Sequence, residues 1–329
     1  MRHNRSLRAV IRELWWGSRA LGLLALALVL GFTMAGVATA DSSSESGVKS
    51  PLQEAILAGD EERARELIAQ GVSVSEGLIT AARTGSLPLL ELLFAAGADT
   101  EGFFGARALV VAMLVEDEEA TRLLRSKGAH LEGRDEAGRT VLVWASGQKR
   151  LGPLVRTAID AGADLDASSR TGETALMTAS RFGRVGSVRM LLRAGARVEA
   201  RDRDGWTPLM FAIRSQSIKI VGLLVDAGAD PEAESALGWT PLMLASWEGK
   251  ARIVNRLLVA GADPEHRTAM EPVPLIRAVQ GGHAAVARRL VVQGADIGNG
   301  TVGDPLWWTR KLGRQRLRKL LVSTGGAGG

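Results

Sequence analysis

Residues 202–234 read DRDGWTPLMFAIRSQSIKIVGLLVDAGADPEAE, and residues 235–267 read SALGWTPLMLASWEGKARIVNRLLVAGADPEHR. Trp206 answers Trp239, Pro208 answers Pro241 and Gly228 answers Gly261, each pair 33 residues apart. A fixed period of this length marks a stacked repeat array, in which each unit buries its apolar face against the next. Working outward, the glycine of the GAD punctuation recurs at Gly71, Gly97, Gly128, Gly162, Gly195, Gly228, Gly261 and Gly294, spaced 26, 31, 34 and then 33 residues. The TPLM half recurs as SPLQ from Ser50, TVLV from Thr140, TALM from Thr174, VPLI from Val273 and DPLW from Asp304. Two markers held in phase over most of the chain establish a repeat protein.

The parts of one unit follow from residue chemistry. A glycine turn such as Arg203-Asp204-Gly205 accepts a positive φ. Thr207-Pro208 opens a helix, because threonine caps free amides and proline suits a first turn. Leu209, Ala212 and Ile213 give it a short apolar face. A second helix carries Ile220, Leu223 and Leu224 at helical spacing and stops at Gly228, where a left-handed residue is expected. Asp230-Pro231 then turns the chain outward.

These units resemble the ankyrin repeat, with its Gly-containing hairpin turn, T-P-L-H-x-A, V-x-x-L-L and G-A-D. The resemblance runs over roughly residues 50–322 and is strongest over 135–297. It implies an all-α fold: an ankyrin-repeat solenoid of helix–turn–helix units joined by short hairpin turns, about eight repeats plus a degenerate C-terminal cap over 51–322. The first two repeats are shortened and lack the hairpin. The fourth has one extra residue within Gly147–Val155, expected to bulge its inter-helix turn. The family's histidine is replaced by Val143, Met177, Met210, Met243 and Ile276, so stacking must lean on packing. His283 matches the family's G-H and reads as structural.

The ends differ from the body. Residues 1–19 hold five arginines and one glutamate, Ala20–Val37 carries no charge, and Ala38-Thr39-Ala40 is a small-residue cleavage pattern. This order reads as a signal peptide, residues 1–40, cleaved after Ala40. The apolar run is also long enough to span a bilayer, so an uncleaved anchor with the repeats outside an inner membrane is the alternative. Residues 41–50 read as a flexible linker and 323–329 as a disordered tail. Both versions of the N-terminus predict an extracytoplasmic location, periplasmic or secreted. The formal net charge of +5 comes from the two ends: removing residues 1–19 and 305–329 leaves 30 basic and 35 acidic residues. Nucleic-acid binding is therefore not expected of the body.

The chain has no cysteine, which removes disulfides, thiolate metal sites and cysteine nucleophiles. No zinc-protease, calcium-loop, phosphate-loop or nucleophile-elbow motif occurs, and His3, His130, His266 and His283 are dispersed. Glu116-Asp117-Glu118-Glu119 reads as a solvated helix start, favourable for the helix dipole. No catalytic residue, metal or cofactor is expected.

What an array offers instead is a long binding surface. In the ankyrin family partner contacts come from hairpin tips and the exposed side of the first helix. Carried onto this sequence, the tips give Arg170, Glu173, Arg203, Trp206, Leu237 and Trp239. The first-helix ends give Arg181, Phe182, Arg214, Ser215, Trp247 and Glu248. Trp206 and Trp239 share a repeat position and are expected side by side, unless they pack against the neighbouring hairpins. The resulting expectation is a monomeric, non-enzymatic module for an unidentified protein partner, touching membrane only through an uncleaved N-terminus. The alternatives are a membrane-anchored envelope scaffold and a secreted effector that binds a host protein.

Overall fold

The computed structural model describes residues 49–268 and 272–325. The expected signal or anchor segment, its cleavage site and the linker up to residue 48 lie outside them. The described residues form 18 helices and no strand, with one isolated bridge between Ser168 and Thr174. Among them, no helix is long and apolar enough to cross a membrane. The chain divides into two units, the second beginning at Ala55. Among the described helices, α1 (Pro51–Ala58) begins in the first and every other lies in the second.

The helices come in pairs. After α1 and α2 (Glu61–Ala69) follow α3 (Ser75–Thr84) with α4 (Leu87–Ala95), α5 (Phe103–Leu114) with α6 (Glu118–Ser126), and α7 (Val141–Gly147) with α8 (Gly152–Asp160). The regular part comprises α9 (Ala175–Arg181) with α10 (Val185–Ala194), α11 (Pro208–Arg214) with α12 (Ile218–Asp226), and α13 (Pro241–Trp247) with α14 (Ala251–Val259). It continues through α15 (Pro274–Gly281) with α16 (Ala284–Val292) and α17 (Pro305–Lys311) with α18 (Gln315–Gly325). The last helix thus runs past Val322, after which the sequence placed a disordered tail; Leu317 and Leu321 are buried and pin it down.

First helices of seven residues are too short to persist alone, since nucleation costs more than so few internal bonds return. They persist because each packs on the next. One apolar cluster runs from Phe103 to Leu321 and takes side chains from both helices of every intervening pair from α7 to α16. The positions where the family keeps histidine are closed to solvent: Val143, Met177, Met210, Met243 and Ile276 are all at most 5% exposed. Packing replaces a polar link there, as the sequence implied.

Polar links between repeats lie elsewhere. In several repeats the residue after the left-handed turn reaches back to a carbonyl near the end of the preceding first helix. Arg184 Nε donates to the Gly147 carbonyl at 2.7 Å, and Arg314 Nη2 to the Gln280 carbonyl at 2.8 Å. His283 Nε2 does the same to the Trp247 carbonyl at 2.9 Å, which gives that histidine its structural task. A second ladder joins the loops: Glu132, Glu199, Glu232 and Glu265 each accept from the backbone amide of an aspartate in the next repeat, at 2.6–3.0 Å.

The irregular repeat is visible. Between α7 and α8 lies Gln148–Leu151, against Phe182–Arg184 between α9 and α10. Gln148 is extended, with ψ 144°, where the regular units turn through a positive-φ residue. At the acidic cluster Asp117 caps α6 by accepting from the Ala120 amide at 2.9 Å, while Glu116 takes the positive-φ position.

Candidate partner-binding surface

The hairpins that carry the tip residues are built on one plan. Asp202 N donates to the Trp206 carbonyl and Ser235 N to the Trp239 carbonyl, closing each loop, and the Ser169–Glu173 loop closes alike. Adjacent loops are then tied: Arg203 N donates to the Thr171 carbonyl at 3.1 Å and Ala236 N to the Asp204 carbonyl at 2.8 Å. Gly205 lies at this seam. It has φ 74°, and a Cβ there would stand 2.8 Å from Ala236 N, so only glycine lets the loops approach. The backbones of the tips are thereby spent on the stack, while the side chains of Arg170, Arg203 and Leu237 remain exposed.

The first helices deliver their last residues beside these loops. Phe182, at the end of α9, is 46% exposed, and its ring lies over Gly147, whose missing side chain leaves the room. Arg181 pairs with Glu173 and also covers the Phe211 ring of the next repeat, 4.5 Å from its centroid. Phe211 in turn packs on Trp206, with centroids 5.4 Å apart. Arg214 is set 5.7 Å from the Trp206 ring and 3.4 Å from Glu248. Glu173, Arg181, Phe211, Trp206, Arg214 and Glu248 therefore form one connected series across three repeats.

The two tryptophans at equivalent positions take different partners from the ones their spacing suggested. Trp206 belongs to the series just described, whereas Trp239 meets Trp247 edge-on, with centroids 6.4 Å apart. Over this second pair sits Arg277, 4.4 Å from the Trp239 ring and 6.0 Å from that of Trp247. Trp206 and Trp239 are half-buried and pack on the core cluster. They support the stack and are only partly exposed.

Burial sets the electrostatics. It pushes the Glu173 carboxyl above its usual range, against the pull of Arg181, and does the same to Glu248 against Arg214. Asp202, also raised by burial, accepts from the Trp206 and Asp204 amides at 2.7 and 3.0 Å. Among the described residues no group of three or more His, Asp or Glu is placed to hold a metal ion. His266 lies between Glu232, 2.7 Å away, and Glu234, 3.2 Å away.

Of the twelve residues proposed from the sequence, Arg170, Phe182, Arg203 and Leu237 are exposed. Glu173, Arg181, Trp206, Arg214, Ser215, Trp239, Trp247 and Glu248 are half-buried; Ser215 donates its hydroxyl to the Ala212 carbonyl at 3.0 Å. Sequence reasoning missed Phe211 and Arg277. The repeat register held the clue, since Arg277 falls in phase with Phe211 and Leu244, a position that otherwise faces inward.

Residues 147–235 and 199–268 match the family model described as ankyrin repeats (3 copies). No curated protein matches the chain. The matched residues include every one of the twelve.

Proposed function

On the premise that this chain is an ankyrin-repeat protein, we propose that it is a non-enzymatic protein-binding module that works outside the cytoplasm, in a periplasm or an equivalent compartment. One observation carries the binding reading: arginines and aromatics converge on the tips and first-helix ends of three successive repeats, with Phe182 and Leu237 left exposed among them. Arginine and aromatic residues are the types that dominate binding hot spots. Because ion pairs and ring contacts already fix their rotamers, little side-chain freedom remains to be lost on docking. Phe182 and Leu237 are the anchors a partner meets first, with Arg170 and Arg203 at the rim.

The test follows from exposure. The chain, and a Phe182→Ser/Leu237→Ser/Arg203→Ser variant, are used as bait in extracts of the native envelope. The variant removes side chains that the fold does not need, so its melting curve should match the parent. We expect partners recovered by the parent to be lost with the variant. An identical set of partners with both baits rejects the assignment of this surface.

The compartment rests on residues 1–40, where an arginine-rich start, an uncharged run and Ala38-Thr39-Ala40 follow in the order that export requires. The N-terminal mass of the mature protein tests it. A chain that starts at Asp41 supports a released module, and one retaining Met1 supports the anchored scaffold.

A further inference from the structure

A second surface lies among the second helices. Between α12, α14 and α16 runs a groove of about 880 Å³ lined by Arg252, Asn255, Arg256 and Val259 of α14 and by Ala285, Arg288, Arg289 and Val292 of α16, with Ile218 and Ala251 completing it. Neither α14 (ARIVNRLLV) nor α16 (AAVARRLVV) contains an acidic residue. Arg256 is paired with Asp226 of α12. Arg252, Arg288 and Arg289 have no ion-pair or hydrogen-bond partner among the described residues, and Arg289 Nε is shielded from solvent without an acceptor. At one end of the groove Val259 and Val292 are 70% and 60% exposed, the same repeat position in consecutive helices.

We propose that this groove is a second docking site, and that its occupant is an acidic amphipathic segment of a partner protein. Charge selects the sign of the occupant, since the walls hold four arginines and one compensating carboxylate. Arginine selects carboxylates well, because its planar fork binds them bidentately. The floor selects an apolar face: Ala251 and Ala285 leave it open, and the two valines otherwise face water. Shape then separates the occupants. The groove follows helices of nine residues, about 13 Å long at 1.5 Å per residue, which suits two or three turns of a helix lying between them. A bilayer surface cannot enter a recess between two helices, and duplex nucleic acid has no apolar face to fill it.

The overall charge of the repeat body conceals this site. Acidic residues are concentrated in the GAD loops and hairpins, while these two second helices keep only arginines, so a sum over residues cancels what the fold separates.

The test uses the full chain and a fluorescein-labelled synthetic peptide with leucines along one helical face and glutamates beside them. We expect saturable binding that weakens as salt is raised and vanishes when the glutamates of the peptide are replaced by lysine. Arg252→Ser/Arg288→Ser should weaken it by roughly tenfold or more, since two carboxylate contacts are lost. Phe182→Ser/Leu237→Ser, on the other surface, should leave it unchanged, so the two surfaces can fail independently. As the chain has no cysteine, Val259→Cys and Leu237→Cys each provide a unique site for an environment-sensitive dye in an otherwise intact protein. The dye at 259 should respond to the peptide and the dye at 237 should not. No saturable binding, an equal response at both dye positions, or displacement of the peptide by phosphatidylglycerol vesicles or duplex DNA overturns the proposal.

Discussion

Arg277 is the residue at which the local rules are most visibly broken. It occupies a position given to Phe211 and Leu244 in the two preceding repeats, and it is fully buried. Burial lowers its pKa to about 9, so the guanidinium stays protonated at neutral pH. Two indole rings and the Gln280 side chain, whose oxygen accepts from Nη1 at 2.8 Å, surround it. Attraction to the rings offsets part of the desolvation, on the order of 2 kcal/mol for a desolvated pair. Volume and charge can be separated by substitution. Arg277→Met keeps most of the volume and removes a buried charge, so its stability in urea should equal or exceed that of the parent. Arg277→Ala leaves a cavity beneath both tryptophans and should cost about 2–4 kcal/mol. A loss of that size with Met would mean that the charge, not the packing, holds the site. The register of the repeats makes Arg277 noticeable in the sequence. Its burial between Trp239 and Trp247 is not legible there, because those rings come from a different repeat.

At the scale of one element, the threonines that open the first helices look alike in the sequence and differ in the structure. Thr174 and Thr240 accept from the amides of Met177 and Met243, at 3.4 and 3.2 Å. Thr207 makes no such bond, and its hydroxyl is buried without a partner. Equilibrium unfolding should therefore divide them. Thr240→Val loses a cap and should cost about 1 kcal/mol. Thr207→Val exchanges an unsatisfied hydroxyl for a methyl of the same shape and should raise stability, by up to about 1–3 kcal/mol. Equal losses at the two positions would show that both threonines cap in solution. The pattern T-P-L-M located each helix start to the residue, but cap geometry depends on ψ and on the loop before it, which the pattern does not carry.

For the whole molecule, the half-buried carboxyls predict an unusual pH dependence. Glu173, Asp202, Glu232, Glu248 and Glu265 all have pKa values raised chiefly by burial. The folded state then holds these protons to higher pH than the unfolded state does. Between the two sets of pKa values it binds more protons, so stability falls as pH rises through that window and is greatest below it. Thermal melts should accordingly shift upward as pH is lowered from neutrality into the ordinary carboxylate range. Glu248→Gln should flatten that slope, since its carboxyl is one of the five and its loss removes one proton from the balance. A slope of opposite sign would mean that ion pairs such as Arg214 with Glu248 outweigh burial.

The sequence by itself determined the architecture. A 33-residue period, a glycine at every second-helix stop and threonine–proline helix starts suffice to place helix pairs, because each is a short-range requirement of backbone geometry repeated in phase. Of the residues it nominated for a partner surface, Arg170, Phe182, Arg203 and Leu237 emerge exposed. Only the tertiary structure decided which neighbours the half-buried residues pack against. It tied Trp206 to Phe211 and Trp239 to Arg277, and it gathered arginines from α14 and α16 into one groove. These relations span neighbouring repeats, and the angle at which one repeat meets the next is set by the sum of many small contacts. No single residue or spacing encodes that angle, whereas the period of the fold is written at every turn.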